Sequence, residues 1–229
     1  MQIKADKIKI NTLIISDIHL GDESTRCDEI IAVLSKYQYN KLILNGDILD
    51  GLNLKRLHTG HWKVLSKLRK LSKTCEVIWV HGNHDAQIEI LSRLLGLQVY
   101  NKYIWQEGDK KCLAIHGHQY DRFMNNNFII SNIAFGIYYL LKKYNTSDSL
   151  INMIKNNNKT WKRNSQEVAK GALFYARILG ANYVFCGHTH IIDSSENHGI
   201  KYFNTGSWVE KPSGYIIIKD GEVELDKIT

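Results

Sequence analysis

Through the first hundred residues, short apolar runs alternate with stretches of helical periodicity. Ile10–Ser16, Lys41–Asn45 and Glu76–His81 have strand length and are bounded by polar residues. Between them, Cys27–Tyr37 sets Ile30, Ile31 and Leu34 on one side of a helix, and the stretch His61–Ser72 does the same with Val64, Leu65, Leu68 and Leu71. Ile88–Leu95 predicts another helix. Strands alternating with helices predict βαβ units and a largely parallel sheet. From about Val99 the pattern changes. Tyr103–Trp105 and Lys111–His116 are strands connected through Gly108-Asp109, and a helical region follows Arg122 to about Leu179. Tyr183–Cys186 is a buried strand, and Lys201–Asn204, Gly214–Lys219 and Glu222–Ile228 are short ones. The last two are joined by Asp220-Gly221, a hairpin pair. The expected architecture is α/β: two sheets packed face to face with helices outside. A chain of 229 residues fits one domain, here with a helical insertion at about 122–180.

The polar residues fall where the apolar runs stop. The runs end in Asp17-Ile18-His19, Gly46-Asp47-Ile48-Leu49-Asp50, Gly82-Asn83-His84-Asp85, His116-Gly117-His118 and Gly187-His188-Thr189-His190. Ligands of open α/β sheets bind beyond the carboxyl ends of the strands, so five loops aim carboxylate, amide and imidazole groups at one rim. Gly46, Gly82, Gly117 and Gly187 suit sharp exits from the strands. One such segment alone would pass for a turn or a helix cap. Five of them, each after an apolar run, point to one shared functional site. Carboxylate, amide oxygen and imidazole without thiolate suit Mn²⁺, Fe or Zn²⁺.

Composition adds boundaries. Cys27, Cys75, Cys112 and Cys186 are far apart and form no CxxC pair, which predicts reduced thiols in a cytoplasmic protein. No secretory signal or spanning segment is evident. The net charge of +7 favours anionic partners without choosing among phosphorylated metabolites, nucleic acid and an anionic membrane surface.

The five segments resemble the signature set of the calcineurin-like metallophosphoesterases, spanning residues 17 to 190. That resemblance implies a four-layer α/β/β/α sandwich of two mixed sheets and a pair of divalent metals, Mn first and Fe or Zn as alternatives. It implies that Asp17, His19 and His190 hold one metal, that Asn83, His116 and His188 hold the other, and that Asp47 bridges both. His84 resembles the family histidine that meets the phosphoryl group, and Asp50 is expected to orient it or a ligand. The implied reaction is hydrolysis of a phosphate ester or phosphoanhydride.

Substrate choice points to the insertion. Asn127–Tyr144 is apolar on nearly all sides, and the stretch Phe123–Lys170 carries seven Lys or Arg against Asp148 and Glu167, a net +5. Such a segment fits acyl chains or peripheral contact with the inner face of an anionic membrane, and it fits equally a helix packed on its own cap or in a dimer. With the segments Asp17–Gly21, His116–Asp121 and Asn204–Glu210, it resembles the UDP-2,3-diacylglucosamine pyrophosphatase branch. That branch implies a lipid-linked nucleotide substrate, and its well-defined members carry Arg in place of His84 and Asp in place of His118. His118, Arg122, Lys162 and Arg163 are the candidate substrate contacts. A phosphodiesterase, nuclease or phosphoprotein phosphatase of the same chemistry is the alternative. Few aromatic residues, among them Tyr144 and Trp161, are available to stack bases.

Overall fold

The computed structural model describes residues 7–88, 90, 92, 96–121 and 159–229. The apolar stretch Asn127–Tyr144 and Arg122 lie outside the described residues. Of the expected helix at 88–95, the described residues Ile88, Ile90 and Ser92 are helical.

Period-two alternation splits each central strand between two cores. The first sheet is built on β1 (Ile8–Ile15), β2 (Tyr37–Asn45) and β3 (Glu76–Val80), which run parallel. Leu13, Leu42 and Val77 stand in register, as do Ile15, Leu44 and Trp79. These rows face α1 (Cys27–Lys36) and α2 (Thr59–Leu71), whose Ile30, Leu34, Val64 and Leu68 complete that core. The intervening row, Ile14, Ile43 and Ile78, faces the opposite way, into the space between the sheets. The period of two therefore fixes register, because a one-residue slip would exchange the two cores.

The second sheet contains β5 (Tyr103–Glu107), β6 (Lys110–Ala114), β7 (Tyr183–Cys186), β8 (Ile192–Asn197) and β9 (Ile200–Thr205), ordered β5-β6-β7-β9-β8. Cys112, Ala114, Tyr183, Phe185 and Phe203 fill the space between sheets. Trp105, Phe185 and Phe203 stack there with centroids 5.6 and 5.7 Å apart. Leu113, Ile115, Val184 and Tyr202 point outward and are covered by α3 (Lys159–Ile178) through Ala169, Ala172, Leu173 and Ala176. Three cores between four layers give the α/β/β/α sandwich. The first sheet is completed by β4 (Val99–Tyr100), β10 (Ser213–Lys219) and β11 (Glu222–Ile228) in the order β11-β10-β1-β2-β3-β4. The β10–β11 turn has positive φ at both Asp220 and Gly221, as a two-residue hairpin requires.

Several boundaries differ from the pattern-based expectation. The first helix stops at Lys36, and Tyr37 opens β2 with no intervening loop. β8 escapes the apolar pattern because Ile192–Asn197 is a polar edge strand paired only to β9.

Candidate metal centre

The five loops leave β1, β2, β3, β6 and β7 at one edge of the sandwich. Neighbouring loops are hydrogen-bonded to one another: Asp17 N donates to Gly46 O at 2.9 Å, His19 N to Asp47 O at 2.9 Å and Gly187 N to His116 O at 3.0 Å. Asn45 joins the two sheets, its Nδ2 donating to the carbonyls of Ile115 and Phe185, both at 3.1 Å. Asp17, His19, Asp47, His188 and His190 all adopt left-handed φ, between 50° and 69°. For a residue with a Cβ this costs on the order of 1–2 kcal/mol. Backbone strain concentrated on five polar residues of one rim indicates a functional site.

Among the described residues three groups of ligand atoms converge there, one of them His19, Asp50 and His84; the other two hold expected ligands. In one, ligand atoms of Asp17, His19 and His190 lie within 4.8 Å of one another. The two Nε2 atoms of His19 and His190 are 3.1 Å apart, and His190 Nε2 is 3.3 Å from Asp17 Oδ1. In the other, Asp47, His116 and His188 converge within the same limit. His116 Nδ1 donates to Asn45 O at 3.0 Å, which fixes that ring's orientation. Its buried Nε2 lies 3.2 Å from Asp47 Oδ2 yet lacks the alignment of a hydrogen bond. Asn83 Oδ1 is likewise buried without a hydrogen-bond partner among the described residues. Buried polar atoms are nearly always paired. The unpaired Asn83 amide oxygen, and His116 Nε2 beside Asp47 Oδ2, therefore fit ligands of a divalent cation, and a set without thiolate fits Mn²⁺, Fe or Zn²⁺.

The electrostatics agree. Burial alone would raise the pKa of Asp47. The charges of His116 and His19, with the contact from His116, outweigh it and hold the carboxyl well below its usual range. Burial pulls His116 down, but Asp47 and Asp17 raise it to about 10. His118 goes the other way, lowered to about 3 by burial and by the neighbouring His116 and His188. It is a neutral ring with a buried, unpartnered Nδ1, its centroid 5.5 Å from that of His116.

His84 stands beside the first cluster, with its ring 4.9 Å from that of His19. Its Nδ1 is 3.0 Å from Asp50 Oδ1, and Arg56 Nη2 approaches Asp50 Oδ2 at 2.6 Å. Burial would lower the His84 pKa, but the hydrogen bond to Asp50 and the charges of Asp47 and Asp50 raise it. Asp50 itself is held far below its usual range: burial opposes this, and His19, His84 and Arg56 prevail.

Asp85 has a role that the sequence pattern did not isolate. Its Oδ1 accepts from Ile48 N and Leu49 N, and its Oδ2 accepts from Asp47 N, Gly82 N and Trp79 Nε1, all at 2.9–3.0 Å. One buried carboxylate thus pins the Asp47 loop against the Asn83 loop. Its presence in Gly82-Asn83-His84-Asp85 was the available signal. Gly82 itself is needed for closeness, since a Cβ there would collide with Asp47 N and Oδ1. Ser16 and Thr205 hydrogen-bond beneath Asp17, and Asn204 Nδ2 holds Gly187 O at 2.7 Å.

Lys162 and Arg163 are exposed on α3, and no described contact brings either side chain to the clusters. A further group, Cys27, His58 and His61, also converges within 4.8 Å. There the histidines serve the N-terminus of α2: His58 Nδ1 accepts from Gly60 N, and His61 Nδ1 accepts from His58 N while its Nε2 reaches Asp22 O. The two rings stack at 3.6 Å, so helix capping accounts for the group.

The family described as "Metallophos: Calcineurin-like phosphoesterase" matches residues 10–191. No curated protein sequence matches the chain. Among solved structures, a single mutant of Vps29 from Entamoeba histolytica is similar at TM-score 0.53 and 17% identity, covering 95% of this chain and 97% of that one. Yfce, a phosphoesterase from E. coli, is similar at TM-score 0.51 and 18% identity, covering 95% and 99%. Vps29 from Chaetomium thermophilum gives 0.52 and 10%, covering 95% and 96%. These likenesses concern the fold. Taken with the match along residues 10–191, which contains all five loops, they place the chain in the calcineurin-like phosphoesterase family.

Proposed function

We propose that the protein is a two-metal hydrolase of phosphate esters or phosphoanhydrides. In this reading Asp17, His19 and His190 hold one ion, Asn83, His116 and His188 hold the other, and Asp47 serves both. Asn83 Oδ1, buried without a hydrogen-bond partner among the described residues, and His116 Nε2, 3.2 Å from Asp47 Oδ2, carry the proposal. Bound divalent ions would supply Lewis acidity, drawing charge from phosphoryl oxygens and acidifying water. The chain supplies the rest. His84, oriented by its hydrogen bond to Asp50, stands beside the site, where its protonated form can stabilise charge on the phosphoryl group or protonate the leaving oxygen. Asp50 is in turn held by Arg56, so His84 keeps one orientation through turnover.

The finer reading is an amphiphilic substrate, such as a lipid-linked nucleotide pyrophosphate. Beyond the sequence resemblance, Leu52 and Leu54 support it: both are more than two-fifths exposed, on the loop between Asp50 and Arg56. The decisive experiment is a panel of UDP-diacylglucosamine, bis-p-nitrophenyl phosphate, a cyclic nucleotide, a phosphopeptide and single-stranded DNA, run with Mn²⁺. Hydrolysis is expected, with loss of on the order of a thousandfold or more in Asp47→Ala. A metal-loaded wild type inert on every member would sink the hydrolase reading. Cleavage of simple diesters without the lipid-linked substrate would remove only the finer one.

A further inference from the structure

Three side chains from the first turns of α3 reach toward the loop carrying His188 and His190. Trp161 Nε1 donates to Thr189 O at 3.0 Å, and Ser165 Oγ is 3.5 Å from Thr189 Oγ1. Asn164 Nδ2 donates to Asp121 Oδ2 at 2.7 Å, and the same oxygen lies 2.9 Å from His188 Nε2. Positions 161, 164 and 165 share one helix face, so α3 presents a polar stripe to this loop at its start and an apolar face to the sheet further along.

The contact determines which nitrogen of His188 is available. Asp121 and His188 are almost wholly buried, with side-chain exposures of 4% and 6%. A carboxylate only accepts hydrogen bonds, so His188 Nε2 must carry hydrogen, which leaves the lone pair on Nδ1. A carboxylate behind a metal-binding imidazole fixes its orientation and increases its basicity. Asn164 then holds that carboxylate from the helix that closes the insertion.

We propose that Asp121 is the positioning residue of His188, and that Asn164 links it to α3, so metal affinity and the order of the first turns of α3 are coupled. This rests on His188 being a metal ligand, as proposed above. Because such coupling is reciprocal, a cation bound at His188 steadies α3, and loosening α3 weakens the cation. The first turns of α3 thereby respond to occupancy of the metal site through Asn164 and Asp121.

The test measures binding, separately from turnover. Mn²⁺ titration calorimetry on the full chain should show two equivalents in the wild type. In Asp121→Ala one of them should weaken by about 10–100-fold, with partial recovery in Asp121→Asn, which restores an acceptor. Asn164→Ala, which removes only the outer end of the relay, should weaken the same equivalent to a lesser degree, and it serves if the Asp121 variants fail to fold. Hydrogen exchange at 161–168 should slow on adding Mn²⁺ to wild type and respond less in Asn164→Ala. Wild-type affinity for both equivalents in Asn164→Ala, with unchanged exchange, overturns the inference and leaves the hydrolase reading intact. A wild type that takes up no divalent ion overturns both.

Discussion

At the residue scale, the site depends on side chains that do no chemistry. Gly82 shows this most sharply, because Asp47 occupies the space a Cβ would need. Gly82→Ala should destabilise the fold by about 1–3 kcal/mol through overpacking. It should also lower turnover on a simple diester by about a hundredfold, since a displacement near 1 Å at a reacting group has that scale of effect. Thermal melts together with kcat check both. Turnover within twofold of wild type would show that Asp47 has room to move. The residues that converge in the two clusters were legible in the sequence because they follow strand ends. Asp85, Asn45 and Asp121 were not, because their partners lie far away in sequence: Asp85 meets Asp47 N, Asn45 meets Ile115 O and Phe185 O, and Asp121 meets His188. Local pattern carries no information about such pairings.

At the scale of elements, short apolar runs predicted the central strands well because each divides its residues between two cores and is apolar on both faces. They missed β8, which has no buried face to reveal it. The same logic makes α3 informative. Its buried face is small and apolar, while Phe174 and Ile178 are 67% and 63% exposed among Lys170 and Arg177. Apolar side chains flanked by cations suit the surface of an anionic bilayer. No helix among the described residues is long and apolar enough to cross one. Co-sedimentation with phosphatidylglycerol vesicles is therefore expected, reduced at high salt and in the double variant Phe174→Ser, Ile178→Ser. Equal sedimentation of variant and wild type would exclude this face as the contact.

At the scale of the molecule, the proposed metal assignment makes protonation and metal uptake compete at His116. Without metal, His116 is raised from about 6.5 to about 10. Its charged form stabilises the fold fully below the unfolded value, and that contribution is lost as pH rises through about 10. A metal ligand must be neutral, so an ion entering at pH 7–8 displaces a proton. Mn²⁺ affinity should then increase with pH across that window. Calorimetry in buffers of different ionisation enthalpy should register release of about one proton or more. A buffer-independent heat would mean that His116 is already neutral.

The Asn45 amide, which bonds both Ile115 O and Phe185 O, has a wider meaning once the provenance of each cluster is considered. The first takes Asp17 and His19 from one sheet and His190 from the other; the second takes Asp47 from one and His116 and His188 from the other. On the proposed assignment, neither sheet holds a complete coordination set. The separation of the two sheets is therefore the caliper setting of the site, and Asn45 is one of the pins that hold it, with Ser16–Thr205 and Thr12–Glu107.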